Sequence, residues 1–216
     1  MKAIFKTNFL FLLPYAIFIV LGAFLLAINT KTETHLGFNF FHSSFFDIFF
    51  YYLTYLGDGV MALLTFIILL AIKYRYAFIV GISNLIAAII TQTLKQTVFA
   101  QVVRPKKFFE GIHDLYFVPG VENYSYYSFP SGHSTCAFAL YFSLALLVKN
   151  NTLKLFLFFV ALLVAYSRIY LSQHFFEDVY AGSLIGIFTT LIVYYIIQKR
   201  NISWMEQSLV SSFRKQ

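Results

Sequence analysis

Four ionisable residues lie between two long hydrophobic runs late in the chain: Arg168, His174, Glu177 and Asp178. A histidine followed four residues later by a carboxylate shares one helix face with it. Asp178 is therefore placed to hydrogen-bond one imidazole nitrogen of His174 and to leave the other free for nucleophilic attack. Arg168 adds a planar guanidinium that suits an oxyanion. Charged residues this costly among apolar ones indicate a functional site.

A second polar cluster, residues 128–133, stands immediately before another hydrophobic run. Pro130 suits the first turn of a helix. The backbone N–H groups of Ser131, Gly132 and His133 are then expected at a helix N-terminus, which is a structure that binds phosphate. The cluster predicts an anion site.

A third cluster, formed by Lys95 and Arg104, lies at the end of a further hydrophobic run. Two arginines and a lysine directed at one point would neutralise a tetrahedral anion and the additional charge of its transition state. The three clusters therefore favour phosphoryl chemistry, provided that the intervening segments bring them to one place.

The composition is that of an integral membrane protein. Hydrophobic residues make up 60% of the 216 residues and charged residues only 12%, against about 25% charged in soluble proteins. The net charge of +7 would suggest nucleic acid in a soluble protein. Here much of it lies in short loops, where it sets topology, and no nucleic-acid partner is expected. The single cysteine, Cys136, excludes an internal disulfide framework.

The hydrophobic runs predict an all-α fold, a six-transmembrane-helix bundle in a single domain covering residues 1–216. An aromatic-rich segment, residues 29–52, is expected to lie along the membrane interface. The loop between helices three and four, residues 101–130, is expected to be the active-site loop. The predicted spans are 8–28, 52–72, 76–100, 132–148, 153–166 and 176–197.

The distribution of basic residues predicts the orientation of the bundle. Six spans place both termini on one side, together with the turns after spans two, four and six, and the positive-inside rule makes that side cytoplasmic. The three polar clusters then share the opposite side, which is the periplasm if the protein sits in a bacterial inner membrane. The basic residues on the predicted cytoplasmic side are Lys2, Lys6, Lys73, Arg75, Lys149, Lys154, Lys199, Arg200, Arg214 and Lys215.

These motifs resemble those of the type 2 phosphatidic acid phosphatase (PAP2) family of lipid phosphate phosphatases and haloperoxidases. Residues 130–133, Pro-Ser-Gly-His, match the second motif in full. Ser167 and Arg168, followed after five residues by His174 and after three more by Asp178, match the third motif in full. The similarity in motifs spans residues 95–178, and six-helix topology is what the membrane branch of the family implies for the rest.

The first motif departs from the family pattern. The family has a lysine, six residues and then Arg-Pro, whereas eight residues separate Lys95 from Arg104 and Pro105. In a continuous helix a shift of two positions rotates Lys95 by about 200° and adds about 3 Å. An unwound or bulged turn near Ala100 would restore the register. Otherwise Lys106 or Lys107 would substitute for Lys95.

The resemblance implies a role for each matching residue. His174 would attack phosphorus to form a phosphohistidine, with Asp178 fixing its tautomer. His133 would protonate the leaving oxygen and then activate the water that releases phosphate. The family needs no metal or other cofactor. The phosphate-binding groups implied for this chain are Arg104, Arg168, Ser131, Gly132 and, if it reaches the site, Lys95.

The resemblance also implies a membrane lipid phosphate as substrate. The compact chain and the long cationic loop after span three are most similar to the lipid A and undecaprenyl pyrophosphate branches, and we favour lipid A. Phosphatidylglycerol phosphate and phosphatidic acid are the other candidate substrates.

Several alternatives are open on sequence alone. A lipid phosphotransferase would share the covalent intermediate and pass the phosphoryl group to another lipid. A channel or transporter would spread charged residues through the depth of the bundle, whereas here they gather at one face. His133, His174 and Asp178 fit a two-histidine, one-carboxylate metal site. Asp178 also fits the N-terminal turn of a helix, where it would complement the helix dipole.

Overall fold

The computed structural model describes residues 2–213 as eleven α-helices and two short 3₁₀ turns, with no β-strand in this range. Arg214 and Lys215 of the predicted cytoplasmic set lie outside the described residues. The 3₁₀ turns are Thr54–Gly57 and Ser203–Glu206. The helices are α1 (Lys2–Thr7), α2 (Phe9–Ile28), α3 (Lys31–Phe38), α4 (Ser44–Leu53), α5 (Gly59–Ile72), α6 (Tyr74–Thr97), α7 (Pro105–Phe108), α8 (Gly132–Leu147), α9 (Asn151–Tyr170), α10 (Phe176–Lys199) and α11 (Leu209–Phe213).

Four of these helices are long and apolar enough to cross a membrane, namely α2, α6, α9 and α10. The segment from Ser44 to Ile72 counts as a fifth span if its two bent halves are taken together. Helix α8 has 16 residues, fewer than the roughly 20 that a bilayer core requires. The protein is thus an all-helical, multi-pass membrane bundle, and the count of six spans stays a prediction.

The second predicted span, residues 52–72, was wrong at its start. Residues 44–53 form a separate helix, α4, which Ser43 caps by accepting a hydrogen bond from the backbone N–H of Phe46, and the helix that ends at Ile72, α5, begins only at Gly59. The chain then breaks at Asp58, and the two halves are bent by 53°. Glycines on either side of Asp58 lower the free-energy cost of interrupting the helix, because glycine stabilises a helix poorly.

Helix α8 forms the centre of the bundle and packs against α6, α9 and α10. Alanine and serine along it, such as Ala137, Ala139 and Ser143, are fully buried and let these helices approach closely. The outer helices instead expose large apolar side chains, among them Val20, Ile68 and Ile192. A core of small residues inside a shell of exposed apolar ones is the pattern expected of a bundle in lipid.

Candidate active site

The short connection between α9 and α10 carries His174. Asp178 lies in the first turn of α10, and its Oδ2 atom accepts a hydrogen bond from the backbone N–H of Phe175 at 2.9 Å. The same oxygen lies 3.2 Å from Nδ1 of His174. Both side chains are buried. Asp178 therefore caps α10 and contacts the imidazole, as the four-residue spacing predicted, and Nε2 is the ring nitrogen that this contact leaves free.

Two serines join this pair to the start of α8. The hydroxyl of Ser128 donates to Oδ2 of Asp178 at 2.5 Å, and the backbone N–H of Ser131 donates to the carbonyl of Asp178 at 3.0 Å. Gly182 of α10 permits this approach, because a Cβ there would lie 2.7 Å from the carbonyl oxygen of Ser131. The second and third sequence motifs are therefore in direct contact.

Ser131 is the N-cap of α8, and its hydroxyl oxygen accepts hydrogen bonds from the backbone N–H and the hydroxyl of Ser134. The expectation that Pro130 occupies the first turn was wrong: it precedes the cap, because the Ser131 side chain takes the capping position. The first helical residues are Gly132 and His133, and both line a cavity of about 680 Å³ between α5 and α6.

Arg104 is held by three backbone carbonyls beside the histidine. Its guanidinium donates to the carbonyls of Tyr126 at 2.9 Å, Tyr127 at 3.3 Å and Gln173 at 3.0 Å. Gln173 directly precedes His174, so Arg104 lies next to the predicted nucleophile. A guanidinium carries five N–H donors, and two of the five remain for an anion.

Arg168, in the last turn of α9, is buried with fewer partners. Its Nη1 donates to Oγ1 of Thr54 at 2.6 Å, while Nε is buried without any hydrogen-bond partner in residues 2–213. No carboxylate in that range forms an ion pair with it. This guanidinium is oriented by a neutral hydroxyl and keeps most of its donors unused.

Lys95 reaches the same place although its spacing departs from the family pattern. Helix α6 ends at Thr97, and the backbone N–H of Phe99 then bonds the carbonyl of Leu94, five residues back. The chain is non-helical from there to Arg104, which is the unwinding near Ala100 that would restore the register. Lys95 is buried, and it interacts electrostatically with Arg104, Arg168 and Asp178.

The charges around His174 favour its neutral form. Burial has the largest effect and holds the pKa of the His174 imidazole well below its ordinary value. Four neighbours lower this pKa further, namely Arg104, Lys95, Arg168 and His133. A neutral imidazole with Nδ1 against a carboxylate and a lone pair on Nε2 is the form that a nucleophile requires.

One group at the site was missed, and another that was expected there lies elsewhere. Thr54 orients Arg168, but a single hydroxyl residue in an aromatic-rich segment has no feature that marks it in a sequence. Ser128 was placed in the second polar cluster, although its hydrogen bond to Asp178 was not predicted. Lys107 pairs with Glu110 on the exposed surface, so it does not substitute for Lys95.

Within residues 2–213 no three His, Cys, Asp or Glu side chains are grouped closely enough to hold a metal ion.

A helical membrane bundle with buried cations around a histidine–aspartate pair defines an enzyme that handles phosphate at a membrane. The model of the PAP2 superfamily matches residues 76–202, more than half of the chain. The chain therefore belongs to the PAP2 superfamily.

Individual relatives agree with this assignment. Lipid A 4'-phosphatase of Bacteroides thetaiotaomicron is 27% identical over 178 residues, covering 79% of this chain and 78% of that protein. The crystal structure of Aquifex aeolicus LpxE is 26% identical with a TM-score of 0.68, covering 76% of this chain and 94% of that one.

A PAP2-type phosphatidylglycerolphosphate phosphatase of Bacillus subtilis shares the fold, at 23% identity and a TM-score of 0.55, over 90% of this chain and 97% of that one. With the family, the fold and the lipid phosphatase relative in agreement, the chain is a membrane lipid phosphatase.

Proposed function

We propose that the protein removes a phosphate group from lipid A, and that it does so through a phosphohistidine at His174. The observation that carries the mechanism is the 3.2 Å contact between Nδ1 of His174 and Oδ2 of Asp178, beside three buried cations that lack a carboxylate partner in the described chain. The curated lipid A 4'-phosphatase relative, aligned over 79% of the chain, supports the choice of lipid.

In the first step Nε2 of His174 attacks phosphorus, a P–N bond forms and the P–O bond to the lipid breaks. His133 donates a proton to the departing lipid oxygen. Asp178 accepts the Nδ1 hydrogen bond and stabilises the positive charge that develops on the imidazole of His174. The charge on the phosphoryl oxygens is balanced by Lys95, Arg104 and Arg168.

In the second step water attacks the phosphohistidine. His133, now neutral, accepts a proton from that water, the P–N bond breaks and inorganic phosphate leaves. The hydroxyl of Ser131 and the backbone N–H of Gly132 hold the phosphate oxygens in both steps, as a helix N-terminus favours. No step requires a metal ion, since the cations of the chain provide the electrostatic stabilisation.

The cavity beside His133 supports a lipid substrate. It extends from Gly132 and His133 between α5 and α6, and it is bounded by apolar side chains such as Leu63, Phe66 and Leu85. Such a lining suits a hydrocarbon chain, while the phosphate end of the lipid would lie at the cations.

We also propose the finer architecture: one integral membrane domain over residues 1–216, six spans, an active-site loop at 101–130, cytoplasmic termini and a site at the periplasmic face of a bacterial inner membrane. The distribution of basic residues supports this orientation. The central position of α8, packed on α6, α9 and α10, supports a single domain.

The experiment is to incubate purified protein in detergent with lipid A, undecaprenyl pyrophosphate, phosphatidylglycerol phosphate and phosphatidic acid, and to measure inorganic phosphate and phosphorylated lipid products. We expect phosphate release, fastest from lipid A. His174→Ala is expected to abolish release from every lipid, about 10³-fold or more, while His113→Ala, which alters an exposed histidine, serves as the matched control. Retained turnover in His174→Ala contradicts the nucleophile, and phosphorylated acceptor lipid in place of phosphate indicates a transferase.

A further inference from the structure

The break between α4 and α5 forms a wall of the active site. Thr54, at the start of the 3₁₀ turn, holds Arg168 through the 2.6 Å hydrogen bond. Gly57, at its end, packs on the backbone of α8, since a Cβ there would lie 2.9 Å from the carbonyl oxygen of His133. The residue that follows, Asp58, therefore stands beside the first turn of α8.

Asp58 has a carboxylate oxygen without a protein partner. Its Oδ1 accepts a hydrogen bond from the backbone N–H of Val60 at 3.0 Å and caps α5. No other hydrogen bond or ion pair from the described residues reaches this carboxylate. Asp58 lines the same cavity as Gly132 and His133, and it is the only acidic residue among the described residues that do so.

A carboxylate in this position is unfavourable for binding phosphate as such. Asp58 lies close enough to interact electrostatically with Arg168, one of the cations that would hold the phosphate, and it repels any anion placed between them. Capping α5 does not require the charge, because serine and asparagine cap helices about as well as aspartate does. The cap by itself therefore does not require a carboxylate here.

An ionised carboxylate only accepts hydrogen bonds. Its open oxygen in a substrate cavity matches a donor on the substrate, and the phosphate ester itself offers none when it is ionised. Sugar hydroxyl and amide N–H groups are such donors. They occur next to the phosphate in a phosphorylated amino-sugar lipid and are absent from phosphatidic acid, in which both neighbouring oxygens are esterified.

We propose that Asp58 is a specificity-determining residue that accepts a hydrogen bond from a hydroxyl or amide N–H of an amino-sugar headgroup beside the scissile phosphate. This inference rests on the proposed function. It assigns to Asp58 the discrimination between a glycolipid phosphate and a diacylglycerol phosphate. Asp58 favours the glycolipid phosphate through the hydrogen bond to its headgroup. It disfavours the diacylglycerol phosphate by charge repulsion.

The test compares Asp58→Ser with the wild type on two lipids. Serine keeps the cap on Val60 and removes the free carboxylate oxygen. We expect kcat/KM for lipid A to fall about tenfold to hundredfold, the usual range for losing a hydrogen bond to a charged group. Phosphatidic acid, measured as a substrate and as a competitive inhibitor of lipid A hydrolysis, is expected to bind equally well or better.

Asp58→Asn supplies the second variant, because it keeps the cap and one oxygen but loses the charge, and we expect a smaller fall on lipid A alone. Thermal unfolding in detergent verifies that each variant is folded. An equal fall on both lipids, or an unchanged preference in both variants, overturns the role of Asp58. Failure of the wild type to release phosphate from lipid A would instead overturn the proposed function.

Discussion

Helices α6 and α9 each bury one cation near each of their two ends. The hydrogen-bond partners of these cations differ between the two ends. At the start of these helices, Arg75 donates to the carbonyls of Ile197 at 2.7 Å and Arg200 at 3.0 Å and forms an ion pair with Glu206. Lys154 donates to the carbonyl of Thr7 at 2.5 Å and to Oδ1 of Asn8 at 2.8 Å. We call this the closed end, because each of its cations donates at least two hydrogen bonds to other residues.

At the other end of the same helices lie Lys95 and Arg168, equally buried. Lys95 makes no hydrogen bond or ion pair with any residue that the structure describes. Arg168 bonds only Thr54, and its Nε is unpartnered within residues 2–213. We call this the site end. A buried cation without a counter-charge is destabilising, on the order of several kcal/mol, and in the proposed function an anionic substrate provides the missing charge.

The largest expected effect comes from exchanging one arginine at each end. Arg168→Gln should lower kcat/KM for lipid A by about 10²- to 10³-fold, because it removes a charge directed at the transition state, while the melting temperature in detergent changes little. Arg75→Gln should leave kcat/KM within about threefold and lower the free energy of unfolding by about 1–3 kcal/mol, since it leaves carbonyls unpaired. Swapped outcomes, with Arg75 controlling turnover, would remove the distinction between the ends.

A smaller effect is expected from the two lysines. Lys95→Ala should lower kcat/KM by at least about tenfold, equivalent to about 1.4 kcal/mol of transition-state stabilisation. Lys154→Ala is the matched control at the closed end and should reduce thermal stability with turnover preserved. A loss below tenfold for Lys95→Ala would mean that the displaced lysine is not a phosphate ligand.

The smallest effect on turnover concerns His35, which is also buried at the site end with both ring nitrogens unpartnered among the described residues. It packs between the rings of Phe109 and Phe175, and burial lowers its pKa from 6.5 to about 4. The unfolded chain therefore binds a proton first as the pH falls, so this residue contributes stability above pH 6.5 and loses it between about pH 6.5 and pH 4, at most about 3 kcal/mol.

His35→Phe keeps the aromatic packing and removes the titration. Thermal unfolding in detergent at pH 7.5 and pH 4.5 should show a smaller decline for this variant than for the wild type, with turnover at pH 7.5 unchanged. An identical decline in both proteins would show that His35 does not remain neutral when buried. The expected smaller decline would distinguish His35, a neutral buried group, from the buried cations at the same end.

The sequence was sufficient to predict the three motifs that meet, because each depends on local rules: a four-residue spacing for His174 and Asp178, a helix start at Ser131 and an arginine near a span end. It was also sufficient for an all-helical membrane class, which follows from composition. These patterns do not contain the tertiary contacts that orient the charged side chains of the site.

Three features show why that detail could not be predicted. The position of Lys95 depends on how the chain unwinds after Thr97, and no residue type there forces an unwound turn. Thr54 and Ser128 act through single hydrogen bonds across the bundle, so their roles emerge only when α9 and α10 are packed. The two glycines beside Asp58 permit a break in the helix, but they do not indicate that the break lines the active site.

Locating the transferred phosphoryl group tests the proposed phosphohistidine at His174 directly. Wild-type protein is mixed with a substoichiometric amount of lipid A labelled with ³²P at its phosphate, quenched in alkaline detergent during the first turnover, and digested for peptide mapping. We expect label on His174 that disappears as inorganic phosphate forms, and none in His174→Ala. Label on His133 or Ser131, or phosphate release by His174→Ala at the wild-type rate, would contradict it.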